Sequence, residues 1–247
     1  MKKAVIILAV IFALSSTVYS QIPIGIKIGP MIGLTSPTID YGGDVKDFYA
    51  GTKYGMRSGV NFGAMGKIAI GPLNGRISVG YSSLSNTGVP NLNQPNSTLE
   101  VKNNILMFTI GTEFGFGIPF SPVKPYAGID LLFSTFSGSR NFNNTAEVNS
   151  GEVSMKSASR TGLGFAIGAE VSFGKTLTAD LSLRYNLHNM FGKEYEGVTN
   201  SNDRNLAYNF LNDAKDPNYN GTDSKHPIGN DRSISTIQLQ LGILFGF

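Results

Sequence analysis

Eight charged residues lie in segments that are otherwise made of apolar and small side chains. Four are carboxylates and four are cations, so they could form ion pairs, a proton path or the gate of a pore. An ion-pair network that fills and stiffens the protein interior is the favoured prediction, because buried carboxylates stay ionised only beside cations. The set comprises Lys27, Lys67, Arg76, Glu113, Asp130, Glu170, Asp180 and Arg184.

A histidine is the next candidate for chemistry. His188 is predicted to point inward at the end of a strand, close to Asn186 and Asn189. A hydrolase acting on lipid would need a Ser–His–acid set with Ser and His within hydrogen-bond reach. The sequence contains many Ser residues but no diagnostic spacing. The expected role is therefore a rim histidine that is satisfied by neighbouring amides.

A partial calcium-binding motif lies in the longest irregular segment. Asp216, Asn218 and Asn220 place oxygen ligands at alternate positions, and Gly221 stands at the sixth position of the loop. The twelfth position, which normally supplies a bidentate Glu, is Pro227. Weak calcium binding outside the cell is one interpretation and an Asn-rich turn is the simpler one. No other cofactor is expected.

The composition and the N-terminus indicate an exported β protein. Charged residues make up 15% of the chain, which also has 30 Gly and no Cys, and ordinary soluble domains carry about 25% charged residues. Lys2, Lys3 and the apolar run 4–14 predict a signal peptide over residues 1–20, cleaved after Ser20. Without these two lysines the mature chain 21–247 is close to neutral, so a nucleic-acid partner is not expected.

Eight segments alternate between an apolar face and a small or polar face, which is the pattern of β-strands. The final strand ends on the aromatic Phe247, as the closing strand of an outer-membrane barrel does. Arg57 and Arg160 are predicted on the small and polar face, together with the eight charged residues above. The segments are 22–34, 57–70, 76–84, 104–118, 125–136, 160–173, 177–188 and 234–247.

The connections between these segments alternate in length. Three short turns alternate with four long loops, over residues 35–56, 85–102, 137–159 and 190–233. This predicts an all-β, eight-stranded antiparallel up-and-down transmembrane β-barrel in the bacterial outer membrane, with extracellular long loops and periplasmic termini. A soluble lipocalin-like barrel would turn its apolar face inward. The abundance of Gly and Ala on the face opposite the apolar one favours the membrane barrel.

The chain resembles the outer-membrane β-barrel domain family of Bacteroidota, of which the PorT-like proteins are one branch. The resemblance rests on residues 25–29 (GIKIG), 181–187 (LSLRYNL) and 237–242 (IQLQLG). It implies the fold and the compartment. It also suits a role as an accessory subunit of a secretion or assembly complex in the envelope.

A non-catalytic structural or interaction barrel is therefore the expected function, with outer-membrane lipid and other envelope proteins as partners. A lipid-modifying enzyme with a rim histidine and a narrow channel remain as alternatives. Aromatic side chains in the loops are expected in the interfacial girdle, over the barrel mouth or against a partner. They are Tyr41, Phe48, Tyr49, Tyr54, Tyr195, Tyr208, Phe210 and Tyr219.

Overall fold

The structure of the chain is a computed structural model. The structure describes residues 24–70, 72–91, 93–117, 121–174, 176–196, 207–219 and 228–247. The predicted signal peptide, over residues 1–20, lies outside the described residues. Within them, no helix is long and apolar enough to cross a bilayer.

Eight antiparallel strands form a closed barrel in which each strand pairs with its neighbours in the sequence, and β8 pairs with β1. The predicted eight-stranded up-and-down barrel is therefore confirmed. We call the end that carries the connections β2–β3, β4–β5 and β6–β7 the turn end, and the opposite end the loop end. The strands are β1 (Ile24–Thr38), β2 (Gly59–Ile70), β3 (Leu73–Gly88), β4 (Thr98–Gly115), β5 (Val123–Asn143), β6 (Gly151–Phe173), β7 (Leu177–Phe191) and β8 (Ser235–Gly246), and one short helix, α1 (Val45–Tyr49), lies between β1 and β2.

The outer wall of the barrel carries an apolar band. On β1 the band runs from Ile26 to Leu34, and on β3 it runs from Leu73 to Tyr81, above which Ser83 and later polar residues face outward. Each run is about nine residues long, which suits a tilted strand that crosses the hydrocarbon core of a bilayer. The outward direction of the apolar face is confirmed.

Small residues on the inner face let the strands and side chains approach closely. A Cβ atom on Gly162 of β6 would lie 1.8 Å from the carbonyl oxygen of Leu187 on β7. Only Gly fits at such a position without moving the neighbouring backbone. The narrow interior therefore depends on the Gly-rich face that the sequence alternation predicted.

Two of the predicted long loops are largely strand. β3 and β4 extend through most of 85–102, and β5 and β6 extend through most of 137–159, so that only 89–97 and 144–150 connect them. We call the loop-end parts of these strands, residues 83–88, 98–105, 136–143 and 151–160, the crown. The residues of the crown beyond the predicted strands have a polar outer face, and for this reason the sequence pattern predicts loops there. Their inner face stays apolar at alternate positions and is buried, as Leu84, Leu99, Val101, Phe142 and Met155 show.

The other two predicted loops differ from the structure mainly at their ends. β1 continues to Thr38, so the loop predicted over 35–56 begins later and contains α1. β7 continues to Phe191, which shortens the loop predicted over 190–233. We call the segments 39–58 and 192–234 loop 1 and loop 4.

Candidate functional site

Lys67 is the centre of a charged cluster inside the barrel near the turn end. Its Nζ lies 2.6 Å from Glu113 Oε2 and 2.9 Å from Glu170 Oε1, and it also donates to Asp180 Oδ2. The Tyr126 hydroxyl donates to Asp180 Oδ1 at 2.9 Å, and the Lys67 ammonium lies 4.3 Å from the centroid of the same ring. The Lys67 side chain is 1% exposed.

Two arginines extend the cluster across the lumen. Arg184 bonds Asp130 Oδ2 at 2.5 Å through Nη1 and Glu113 Oε1 at 3.0 Å through Nη2. Arg76 Nη1 lies 3.3 Å from Asp130 Oδ1, and its Nε lies 3.6 Å from Glu113 Oε1. Each of these guanidinium groups therefore contacts two carboxylates, which fixes the side chains of four different strands.

The fourth cation closes the cluster at the turn end. Lys27 Nζ lies 2.5 Å from Glu170 Oε2, and its side chain is 24% exposed. The structure thus brings together all eight charged residues of the predicted network, with four cations against four carboxylates. Such a balanced set can stay ionised away from water, because each carboxylate has a cation beside it.

The cluster has the donor set of a metal site, but a lysine stands within it. One oxygen each from Glu113, Glu170 and Asp180 lies within 4.8 Å of the others, close enough to hold a divalent cation. The Lys67 ammonium bonds all three carboxylates and lies where such a cation would be. The Lys67 ammonium therefore compensates the negative charge of these three carboxylates.

Two further arginines were predicted on the inner face, and one prediction is wrong. Arg57 precedes β2, its side chain is 62% exposed, and it pairs with Asp44 at 2.5 Å. The alternation shows which residues share the face of Arg57, but it does not show that the strand begins only at Gly59. Arg160 does point inward, at the loop end, where its Nη2 lies 2.7 Å from Asp213 Oδ1.

The middle of the lumen is uncharged and hydrogen-bonded. His188 is fully buried, with Nδ1 2.8 Å from Ser134 Oγ and Nε2 3.0 Å from Thr236 Oγ1. The prediction that amides satisfy this histidine is wrong, because the hydroxyls of Ser134 on β5 and Thr236 on β8 do so. Among the described residues no carboxylate bonds His188, and its ring faces the lumen rather than lipid.

Loop 1 and the described part of loop 4 fold over the barrel mouth and bury an aromatic cluster beneath them. Tyr41 and Tyr54 meet edge to face at 5.5 Å, and Tyr41 meets Phe136 of β5 at 6.3 Å. Tyr208 of loop 4 packs against Phe48 of α1 at 5.3 Å. We call this layer, together with the inner face of the crown, the cap. It closes the lumen at the loop end.

A buried ion pair holds loop 4 to the barrel. Asp213 is fully buried and accepts hydrogen bonds from the Arg160 guanidinium, from Asn189 Nδ2 and from the backbone N–H of Glu194. Nothing in the sequence of the loop distinguishes Asp213 from its other acidic residues. An unpaired inward arginine at the end of β6 was the one available signal for such a partner.

The partial calcium motif is engaged in local hydrogen bonds. Asp216 is buried, its Oδ1 accepts the backbone N–H of Asn218 at 2.8 Å, and its Oδ2 accepts the Tyr195 hydroxyl at 2.5 Å. This is the geometry of an Asx turn. Asn220 lies outside the described residues, so calcium binding stays a prediction.

Solved outer-membrane barrels resemble the chain. Neisserial surface protein A is 14% identical, with 91% of this chain and 97% of that chain covered and a TM-score of 0.47. A major outer membrane protein of Thermus thermophilus is 16% identical, with 90% and 99% covered and a TM-score of 0.49. For OprG of Pseudomonas aeruginosa the identity is 9%, with 91% and 95% covered and a TM-score of 0.43.

No curated protein matches the chain. The family described as "Outer membrane protein beta-barrel domain" matches residues 6–212, which is most of the chain. With its closed eight-stranded barrel and its apolar outer band, the chain belongs to this family of bacterial outer-membrane proteins.

Proposed function

We propose that the protein is a non-catalytic barrel that serves as a structural or accessory subunit of an envelope complex. A secretion or assembly complex would suit its resemblance to the PorT-like barrels of Bacteroidota. The observation that carries the proposal is the filled lumen. Ion pairs occupy its turn end, hydrogen-bonded polar side chains its middle, and the aromatic cap its loop end. Two surfaces are left on which the protein can act. One is the outer wall of the barrel, and the other is the exposed surface of the crown and of the loops at the loop end, which we call the loop rim.

The proposed orientation places the loops outside the cell and both mature termini in the periplasm. Short periplasmic turns and long extracellular loops are the usual arrangement in bacterial outer-membrane barrels. Because the chain has no Cys, single-cysteine variants give a clean test in whole cells. We expect a membrane-impermeant maleimide to label Asn96→Cys at the loop end and to spare Thr176→Cys at the turn end. The reverse pattern would contradict the orientation.

The proposed role is tested by purifying the tagged protein from its own envelope in a mild detergent, followed by mass spectrometry. A subunit should retain a partner in a fixed ratio. Charge reversal at Lys102, on the outer face of the crown, and at Lys53, on loop 1, then tells whether the loop rim holds that partner. Thr176→Glu at the turn end is the matched control. A barrel that purifies alone from every mild detergent would refute the role.

A channel and a lipid-modifying enzyme are the alternatives, and the geometry supports neither. A channel would need a continuous path past Asp130 and its two arginines, and Asp130→Asn would then change the unitary conductance. An enzyme would need His188 to reach lipid, but this histidine is buried in the lumen. His188→Ala should leave the lipid composition of the envelope unchanged.

A further inference from the structure

A buried arginine in the cap has no counter-charge among the residues that the structure describes. Arg140 lies on the inner face of β5 in the crown and is 1% exposed. Its Nη1 donates to the backbone oxygens of Lys102 at 2.7 Å and Ser139 at 3.0 Å. Its Nη2 contacts the sulfur of Met155 at 3.3 Å, and the guanidinium lies 5.0 Å from the ring centroid of Phe48. All of these neighbours are neutral.

In the described part of the chain, Arg140 makes no ion pair with an acidic side chain, and its buried Nε has no hydrogen-bond partner. A guanidinium cannot shed its charge by losing a proton in a protein. Tyr41 is close enough to interact with this charge, but burial raises the pKa of Tyr41 well above its ordinary value. The phenol therefore stays neutral and does not compensate Arg140.

A second arginine adds to the excess of positive charge. Arg232 is 4% exposed, and its Nη2 donates to the backbone oxygens of Leu211 and Asn212. Its guanidinium stacks on Tyr54 at 4.0 Å from the ring centroid and forms no ion pair with a described residue. The charges of Arg232 and Arg140 act unfavourably on one another.

The turn end of the lumen differs from the cap in its balance of charge. There, three buried cations and the partly exposed Lys27 meet four carboxylates, and each carboxylate has a cation beside it. In the cap, Arg160 has Asp213, but Arg140 and Arg232 are surrounded by carbonyl groups, aromatic rings and a thioether. Such groups solvate a cation without cancelling its charge, and buried charges in proteins are normally paired.

We propose that the cap contains an anion-binding site at Arg140. The ligand is a small anion, a halide or a compact carboxylate or phosphate, and it binds on the side of Nε and Nη2. That side of a guanidinium forms two parallel hydrogen bonds to an oxyanion, and among the described residues it meets the Met155 sulfur alone. Met155 is unbranched and flexible, so its side chain can move aside for the ligand.

The site joins parts of the cap that are distant in sequence. Arg140 contacts Phe48 of α1, the backbone of β4 at Lys102 and Met155 of β6. A bound anion would fix the arginine that these three elements share, so that binding stabilises the closed cap. The inference is independent of the proposed role in an envelope complex.

Thermal unfolding of the full-length protein in detergent tests the site. Sodium chloride, acetate and phosphate are each titrated at constant ionic strength against the bulky anion gluconate. We expect the Tm to rise and then saturate with at least one small anion, because a ligand that binds only the folded state stabilises it. The most effective of the three anions identifies the ligand as a halide, a carboxylate or a phosphate.

The response should be lost in Arg140→Met and kept in Arg57→Met, the exposed control. An equal rise in Tm in the unmodified protein and in both variants would overturn the proposal. So would the absence of any rise in Tm with any of the anions. Crystals of the unmodified protein in sodium bromide give a second test that does not depend on folding of the variant. An anomalous peak beside Arg140 Nε supports the site. A clean map at this position refutes a halide site, and it overturns the proposal if acetate and phosphate also leave the Tm unchanged.

Discussion

Replacing Lys67 by Met tests whether the ion-pair network holds the barrel together. The substitution keeps most of the side-chain volume and removes the ammonium from among three buried carboxylates. Glu113 keeps Arg184 at 3.0 Å, and Glu170 keeps Lys27 at 2.5 Å. Asp180 keeps only the Tyr126 hydroxyl, at 2.9 Å. One buried carboxylate therefore loses its only cation among the described residues.

The expected cost follows from this loss. Removal of one partner from a buried ion pair typically costs about 3–5 kcal/mol, because the remaining charge is left uncompensated in a medium of low polarity. Lys102→Met is the matched control, since Lys102 pairs with Glu100 at 2.9 Å on the outer surface, with the lysine side chain 50% exposed. An exposed pair of this kind contributes about 0–1 kcal/mol.

Neutralising the orphaned carboxylate should reverse much of the effect. Asp180→Asn added to Lys67→Met removes the uncompensated charge, and we expect a coupling free energy of about 1–3 kcal/mol between the two sites. Lys67→Ala opens the space among the three carboxylates, whose oxygens lie within 4.8 Å of one another. We expect millimolar calcium to stabilise Lys67→Ala by more than it stabilises the unmodified protein.

The assay is reversible unfolding in urea in detergent micelles, which gives the free energy of unfolding. Far-UV circular dichroism is the suitable signal, because the chain contains no Trp. A result in which Lys67→Met costs no more than Lys102→Met would refute the reasoning. Strict additivity of Lys67→Met and Asp180→Asn would also contradict it.

Three other variants test the cap, the close strand contacts and the apolar band. Asp213→Asn leaves the buried Arg160 without its main partner, and we expect faster proteolysis within loop 4 while the barrel stays intact. Gly162→Ala places a Cβ atom 1.8 Å from the Leu187 oxygen, and we expect a loss of about 1–3 kcal/mol in unfolding free energy. Val79→Lys puts a charge in the middle of the apolar band, which should cost about 2–4 kcal/mol in lipid bilayers.

Each of these variants has a control on a neighbouring feature. Arg160 has a second partner in Glu194, and the Glu194 side chain is 65% exposed. Glu194→Gln should leave loop 4 protected from proteolysis. A Cβ atom on Gly75 meets nothing within 4 Å, so Gly75→Ala should change stability by less than about 0.5 kcal/mol. Thr87→Lys lies above the band on the same strand as Val79 and should cost about 0–1 kcal/mol. Equal losses in a variant and its control would contradict the explanation given for that variant.

Much of the fold could be predicted from the sequence because strand alternation is a local property. Side chains two residues apart share a face, so the apolar band and the inward direction of residues such as Lys67 and Glu113 follow from reading the chain alone. The ends of the strands do not follow from alternation in the same way. The sequence predicts most of the crown as loop because its outer face is polar, and it predicts Arg57 inside because alternation does not show where a strand begins.

The partners of the charged residues were decided only by the tertiary structure. Lys27 and Glu170 are 143 positions apart in the sequence, and they meet because the stagger of eight strands brings β1 and β6 together across the lumen. The same holds for Arg160 with Asp213 and for His188 with its two hydroxyls.

The sequence by itself determined which face each side chain occupies, because the two-residue repeat is fixed by the backbone of a single strand. It also determined that the interior would be polar, charged and crowded. Only closure of the barrel decided the level of each side chain in the lumen and its neighbours, because strand tilt and stagger arise from all eight strands together. That is why the network at the turn end is balanced while Arg140, in the cap, has no counter-charge in the described part of the chain.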